Sequence, residues 1–482
     1  MSQRDALRDA VRRRRAEARR RAAQDPDQFL GRGELDLRRA AGRQAREHTP
    51  RSALGQFRLT KRDPVTLLEA SNAGRVADLV PIRHGRMLAG PFAFYRGAAA
   101  LMAHDLAALP NSGVDVQLCG DAHLANFGLF GSPERRVLFG LNDFDETLPG
   151  PFDWDVRRLA ASVVIAARDR GFGTREQRRA VRAACAAFRT GIEECAGMDT
   201  LALWYRQLAA EEVLALTDSA VQRKRDAAVV AKARARDSRG LLAHDTEVVD
   251  GRLRIREAPP HVWHFPAKSG RDAARFNATV RQFFADYRLT LPDDRRALFD
   301  RFSLIDIAVR VVGVGSVGTR CFEALFVADG DTPLFLQVKE ARPSVLEAHL
   351  PASLYENHGR RVVAGQRLLQ SASDIFLGWA TSSASGFDFY VRQLRDMKGS
   401  FDIATFDAPE LDTYARACGI ALATAMSKAG DPAQIAGYVG KSRAFDRAIE
   451  RFALAYADQN ERDYAAFAAA VKAGRLAAQR GA

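Results

Sequence analysis

The hydrophobic pattern changes period several times along the chain, and those changes predict its elements. GPFAFYRGAAALMAHDLAAL (residues 90–109) carries apolar residues at helical spacing, and Pro110 with the Asn111-Ser112-Gly113 turn ends that helix. VDVQLCGDAH then alternates like a short strand running into a loop, and ERRVLFGLNDFDE (residues 134–146) repeats the pattern, so two strands deliver two acidic loops. From Trp154 to about Asp237 the pattern is helical and rich in Ala and Arg. Residues 238–270, with prolines at 259 and 260, predict an irregular connector before a further helix, RDAARFNATVRQFFADYRLTL.

Near residue 300 the period becomes strand-like. DIAVRVVGVGSVGTRCFEALFVADGDTPLFLQVKEA (residues 306–341) predicts strand, glycine turn, strand, Asp-Gly hairpin turn and strand. The helix HGRRVVAGQRLLQ follows, then the strands DIFLGWATS and GFDFYVRQL, then Ala-rich helices from about residue 411 to the end. The expected fold is α+β, with a small antiparallel β-sheet lobe and a larger, mainly helical lobe. Its segments are a basic arm (1–62), partly disordered or helical, a first part of the large lobe (63–300), the β-rich lobe (301–400) and closing helices (401–482).

Composition adds exclusions. The 482 residues are 47% apolar, enough for a substantial core. The longest apolar run, LAASVVIAA (159–167), is too short to cross a membrane and lies between Arg157, Arg158 and Arg168, so no membrane insertion is expected. The first thirty residues hold arginines with no apolar stretch after them, which argues against an export signal and for a cytoplasmic location. The five cysteines are scattered without CxxC spacing, as expected of reduced thiols in a core. The net charge is +13, yet residues 1–62 hold eighteen Lys or Arg against eight Asp or Glu and leave only +3 for the rest. The basicity therefore belongs to the arm, where it predicts a solvated helix or tail and at most weak contact with a polyanion.

Two constellations carry candidate chemistry. GDAHLANFG (120–128) and LNDFDE (141–146) place Asp121, Asn126, Asp143 and Asp145 on two loops. Magnesium takes hard oxygen donors, usually one or two carboxylates with phosphate and water completing the shell, and Asn126, Asp143 and Asp145 are candidate ligands. Phosphoryl transfer also needs a carboxylate to accept the proton of the attacking hydroxyl, and Asp121 stands five residues before Asn126 on the same loop. Singly, each is an ordinary turn or capping residue; two such loops in succession shift the balance toward chemistry. Asp155, at the start of the next helix, is placed to cap it or to hold the backbone of the first loop.

The second constellation is Gly313-x-Gly315-x-x-Gly318. That spacing alone is a weak signal, but a strand rather than a helix follows it, which favours a kinase-type phosphate loop over a dinucleotide fingerprint. Such a loop predicts a lysine on the next strand, and LFLQVKEA supplies Lys339. Glu347 and Glu356 are candidate partners for Lys339, while Gln366 stands in the following helix where a glutamate is expected.

GDAHLANFG, LNDFDE and Asp155 resemble the catalytic loop, metal loop and following aspartate of aminoglycoside phosphotransferase and choline kinase relatives, which share a protein-kinase-like fold. RMLAGPFAFYRGAA, GDAHLANFG, NDFDETLPGPFDWDVRRLAAS, LQVKEA and GQRLLQSASDIFLGW together resemble the bacterial domain-of-unknown-function family 2252, over about residues 80–470. The kinase-like resemblance implies Asp121 as catalytic aspartate and Asn126 and Asp143 as metal ligands. It also implies a nucleotide held by Gly313, Gly315, Gly318 and Lys339. The glycine loop follows the catalytic loop here, the reverse of the usual order, so the resemblance implies a circular permutation. The backbone near Gln393 and Leu394 then faces an adenine.

The expected activity is ATP- and Mg-dependent phosphotransfer to a hydroxyl of an unidentified small molecule or protein, with the helical insert (156–300) shaping the acceptor site. Nucleotidyl transfer on the same fold and nucleotide-dependent regulation without turnover are the alternatives. Polyanion binding through the arm is a third.

Overall fold

The computed structural model describes residues 34–479 apart from 59, 60, 266–269, 312, 314, 316 and 395. Helix α1 (Leu35–His48) packs on a C-terminal helix, where Arg38 meets Asp431 at 2.6 Å, and also reaches the middle of the chain, where Arg39 meets Glu193 at 3.0 Å. Residues 34–58 of the predicted arm are thus part of the folded body, and residues 1–33 lie outside the described set. Helices α2 (Pro64–Ser71), α3 (Val80–Met87), α4 (Pro91–Gly97) and α5 (Ala99–Ala107) follow. The predicted helix over 90–109 is broken at Ala98, whose φ of −112° and ψ of 32° leave the helical region.

The two acidic loops hang on four short strands: β1 (Asp115–Leu118), β2 (Phe127–Gly131), β3 (Val137–Leu141) and β4 (Leu148–Pro151). Antiparallel β1 and β4 pair, as do β2 and β3, so the loop after β1 and the loop after β3 are brought side by side. Strand β2 is absent from the sequence reading, because FGLFG is a continuous apolar run without alternation.

Helices α6 (Asp153–Asp169) and α7 (Thr174–Ala196) then enter the main core. Beyond them come α8 (Thr200–Tyr205), α9 (Ala210–Leu214), α10 (Ala220–Arg234) and α11 (Ser238–Asp245). The segment predicted as an irregular connector holds α11 and three strands, β5 (Thr246–Val249), β6 (Arg252–Ile255) and β7 (Val262–Trp263). Helices α12 (Gly270–Arg288) and α13 (Asp293–Phe299) lead into the sheet.

The sheet contains β7, β8 (Ser303–Arg310), β9 (Cys321–Ala328), β10 (Thr332–Ala341), β11 (Gly378–Thr381) and β12 (Asp388–Gln393), in the order β11-β12-β10-β9-β8-β7. Every pairing is antiparallel. Asp329 and Gly330, both at positive φ (51° and 80°), turn the chain between β9 and β10, as the Asp-Gly signal predicts. One face of the sheet buries Phe326, Leu336, Val338 and Val391 against Phe283, Phe284 and Tyr287 of α12. Helix α14 (His358–Leu369) connects β10 to β11 and joins the sheet to the rest of the molecule. Its Arg361 donates to the carbonyls of Thr147 (2.7 Å), Asp145 (2.7 Å) and Arg342 (2.8 Å). At Gly365 a Cβ would stand 2.3 Å from Thr147 Oγ1, so helix and acidic loop touch backbone to side chain.

Helices α15 (Ala408–Ala429), α16 (Pro432–Val439) and α17 (Ala444–Lys472) close the chain around α6 and α7, forming the largest apolar cluster. The architecture is α+β, a small antiparallel sheet unit against a larger helical part, as expected. All five cysteines are buried. No described helix is long and apolar enough to cross a membrane.

Candidate functional site

The loop after β1 is held from behind. Asp155, buried in the first turn of α6, accepts from Cys119 N–H at 2.7 Å and from Gly120 N–H at 3.0 Å. Burial pushes its carboxyl up to about 7 against the pull of those two donors. Gly120 has φ +85°, and a Cβ there would lie 2.2 Å from the Glu146 carbonyl, so only glycine lets the two acidic loops meet. Of the two roles the sequence offered Asp155, the backbone-holding one is the observed contact.

Asp121 leads this loop. Its Oδ1 accepts from Arg158 Nε at 2.8 Å and lies 2.7 Å from Nη2. Arg158 is itself fixed by donating to the Tyr95 carbonyl at 2.8 Å and by lying 3.8 Å from the Tyr95 ring centroid. His123 Nε2 stands 3.7 Å from Asp121 Oδ2, and its buried Nδ1 has no hydrogen-bond partner among the described residues. Burial holds His123 down to about 4, so it is a neutral imidazole near pH 7. Asn126 donates through Nδ2 to the carbonyls of Asp121 (2.9 Å) and Asp143 (3.2 Å). That fixes the amide orientation and leaves Oδ1 as its remaining acceptor.

The loop after β3 meets the sheet at Lys339. The lysine lies on β10 opposite Cys321 of β9 and Tyr390 of β12, and it is 2% exposed. Its Nζ is 2.5 Å from Asp145 Oδ2 and 3.3 Å from Asp143 Oδ2. Tyr390 donates to Asp145 Oδ1 at 2.9 Å. Asp143 keeps 38% of its side chain exposed and so stays open to the cleft. Against the upward push of burial, Lys339 and Arg392 hold Asp143 well below the usual carboxylate range, while burial and the Asp143 charge raise Asp145. The ammonium is raised by the same two carboxylates, although burial opposes it. Neither predicted glutamate provides this pairing. Glu347 caps Ser344 N–H at 3.1 Å and sits 3.8 Å from Arg361, and Glu356 is exposed where Lys339 is buried. Gln366 donates to Gln370 at 2.9 Å.

Two cavities meet across these residues, sharing Ala125, Asn126, Asp143 and Gly313. The larger, about 950 Å³, runs under the sheet past Lys339, Gln337, Arg392, Gln393 and Leu394 to Lys232, Arg236 and His244. The smaller, about 320 Å³, holds Asp121, His123, Asp145 and Gly315. Gly318 lies at the end of the glycine turn with φ +90°. That turn is fastened by α3 and the loop that precedes it. Val76 N–H donates to the Gly318 carbonyl at 2.8 Å, Arg75 to the Val317 carbonyl at 2.6 Å and Arg86 to the Gly313 carbonyl at 3.1 Å. Gln393 and Leu394 border the large cavity, but their N–H groups are engaged within the protein, Gln393 with Asp374 and Leu394 with the Phe335 carbonyl at 2.9 Å. A ligand there meets their other atoms.

The structure therefore brings Asp121, Asn126, Asp143, Asp145, Lys339, Gly313 and Gly315 around one junction. The insert beyond residue 156 borders the large cavity, through Lys232, Arg236 and His244, whereas the small cavity beside Asp121 is lined from α2 to α5. Sequence reasoning missed Arg158, His123, Tyr390 and the arginines of the small cavity. The readable signal for Arg158 was an arginine at the head of a long apolar run, in a helix whose residues 153–167 are all buried. Among the described residues no three His, Cys, Asp or Glu side chains form a metal cage. Two carboxylates and an amide oxygen match the small donor set magnesium takes when phosphate and water complete its shell.

Fold and site together define an α+β protein with a lysine–carboxylate junction between its sheet and its helical part. The chain belongs to the family described as "Uncharacterized protein conserved in bacteria (DUF2252)", whose sequence profile matches residues 75–470. No curated protein and no solved structure matches it.

Proposed function

We propose that the chain is an ATP- and magnesium-dependent phosphotransferase of circularly permuted protein-kinase-like fold, acting on a hydroxyl. The observation that carries this reading is Lys339 on β10, paired with Asp143 and Asp145 across the cleft where the glycine turn, Asn126 and Asp121 also converge. Supporting it, β8, the glycine turn, β9, β10, α14, β11 and β12 follow the order of a kinase small lobe, and Asp155 grips the loop of Asp121. Asn126, Asp143 and Asp145 would hold magnesium, which neutralises phosphate charge when bound. Lys339 binds the nucleotide phosphates once they replace its carboxylate partners. Arg158 orients Asp121 through Oδ1, which leaves Oδ2 to take the acceptor proton as the acceptor oxygen bonds phosphorus and the bond to the nucleoside diphosphate breaks.

Arg158 also favours a second reading, regulatory nucleotide binding without turnover, because it already occupies one oxygen of the proposed base. Nucleotidyl transfer uses the same donors. Incubation with ATP labelled in turn at the α- and γ-phosphates separates the three: γ-label transfer supports the proposal, α-label transfer means nucleotidyl transfer, and binding with neither means regulation. Asp121→Ala should keep nucleotide affinity and lose about a hundredfold or more in transfer. Equal transfer by that variant rejects Asp121 as the base.

A further inference from the structure

The small cavity beside Asp121 is lined by four arginines that form no ion pair among the described residues, although five carboxylates share its wall. Arg75, Arg83, Arg96 and Arg342 line it, and none has a carboxylate within ion-pair distance among the described residues. Arg75 donates to the carbonyls of Ser71 (3.3 Å) and Val317 (2.6 Å), and Arg83 to Asn72 Oδ1 and the Gly97 carbonyl, both at 2.6 Å. Arg342 donates to the Ala73 carbonyl. Arg96 has no hydrogen-bond partner among the described residues, and its Nε is buried.

The acidic groups of the cavity act on these arginines only through space, because their close contacts go elsewhere. Asp121 holds Arg158, Asp143 and Asp145 hold Lys339, Glu340 holds Arg320 at 3.0 Å, and Glu146 accepts from Val345 N–H at 2.7 Å. Burial pulls Arg75 down to about 10, with Arg342 adding to the effect and Glu146, Asp145 and Glu340 opposing it, and burial lowers Arg83 and, against the pull of Asp121, Arg96. Buried cations are ordinarily paired, since an uncompensated one is strongly destabilising. Arg83 is buried and Arg75, Arg96 and Arg342 are half-buried, and the described residues place no carboxylate within ion-pair distance of them. His123, whose Nδ1 has no hydrogen-bond partner among the described residues, borders the same space.

We infer that this cavity binds the anionic group, a phosphate or carboxylate, of the small molecule that accepts the transferred phosphoryl. The word acceptor rests on the proposed function; the anion site does not. It opens into the large cleft at Ala125, Asn126, Asp143 and Gly313, where the nucleotide phosphates are proposed to sit, while Arg75, Arg83 and Arg96 line its side toward α2 to α5, away from the Gln393 and Leu394 end of the cleft; about 320 Å³ suits a small metabolite rather than a protein segment. Guanidinium groups suit both phosphate and carboxylate through their paired donors.

The test is calorimetric titration of the full chain with inorganic phosphate, alone and with saturating magnesium and a non-hydrolysable ATP analogue. Wild type is expected to bind phosphate in both conditions. Arg96→Gln should weaken phosphate by about tenfold or more and leave analogue affinity within about twofold. Arg96→Lys should recover part of the loss. Without ligand, Arg96→Gln should melt at or above wild type, because a desolvated, unpaired cation has been removed; a merely structural arginine would give the opposite. Absence of phosphate binding at millimolar concentration, or an Arg96→Gln titration identical to wild type, overturns the inference. Displacement of phosphate by the analogue does so too, by assigning the arginines to the nucleotide. If the analogue itself fails to bind while phosphate binds, the phosphotransferase reading falls and the anion site stands.

Discussion

Lys339 is a buried cation whose two counter-charges remain partly open to water, so the balance of charge is local to three side chains. Lys339→Met should destabilise the protein by about 2 kcal/mol, because two adjacent carboxylates then face each other uncompensated. Adding Asp145→Asn should recover part of that loss in urea denaturation; no recovery would mean the lysine acts mainly by packing. His123 gives the pH dependence. Its folded value, about 4, is depressed from 6.5, so the folded protein binds fewer protons than the unfolded chain between those values. The stability it contributes is present above pH 6.5 and is lost as pH falls toward 4. Relative to His123→Gln, wild type should lose up to about 3 kcal/mol across that window, read from denaturation midpoints at several pH values.

At the scale of elements, the loop of Asp121 has its shape because α6 supplies an acceptor to its backbone. Asp155→Ala leaves the buried N–H groups of Cys119 and Gly120 without their acceptor and should cost about 2–4 kcal/mol by denaturation. Asp155→Asn should retain one of the two contacts and fall between. Strand–turn–strand signals made β8 to β10 legible in advance, and the acidic residues after β1 and β3 were legible by type and spacing. The partner of Lys339 was not. A sequence presents glutamates near the following helix, but the choice of Asp143 and Asp145 is made by the docking of β10 on a loop some two hundred residues earlier in the chain. Arg96 was equally hidden, since an arginine in an amphipathic helix reads as a solvated face until tertiary packing covers it. The break at Ala98 and the strands between 246 and 263 were missed because short elements without a full period of pattern are fixed by their neighbours.

For the whole molecule, the order of parts along the chain and their arrangement in space are separate facts. The helical part closes only when α15 to α17, last in sequence, pack on α6 and α7. Magnesium and ATP together should raise the melting temperature, by an amount corresponding to about 2–3 kcal/mol at a hundredfold excess over Kd, and Asp143→Ala should remove most of that rise. No shift at millimolar nucleotide counts against the proposed activity. Residues 1–33 contain ten arginines and five acidic residues. Their deletion should leave the nucleotide-dependent shift intact while weakening salt-sensitive retention on an anionic polymer column; loss of the shift would tie that segment to the cleft.

The grip of α14 on the acidic loop has one further consequence. With Arg361 spanning three carbonyls and Gly365 seated against Thr147, this helix cannot swing outward without stripping buried donors from several acceptors at once. An on–off control that works by tilting that element would have to break all of these contacts together. The glycine turn, by contrast, is held from the amino-terminal side by only three hydrogen bonds among the described residues, from Arg75, Val76 and Arg86, and can be released at lower cost.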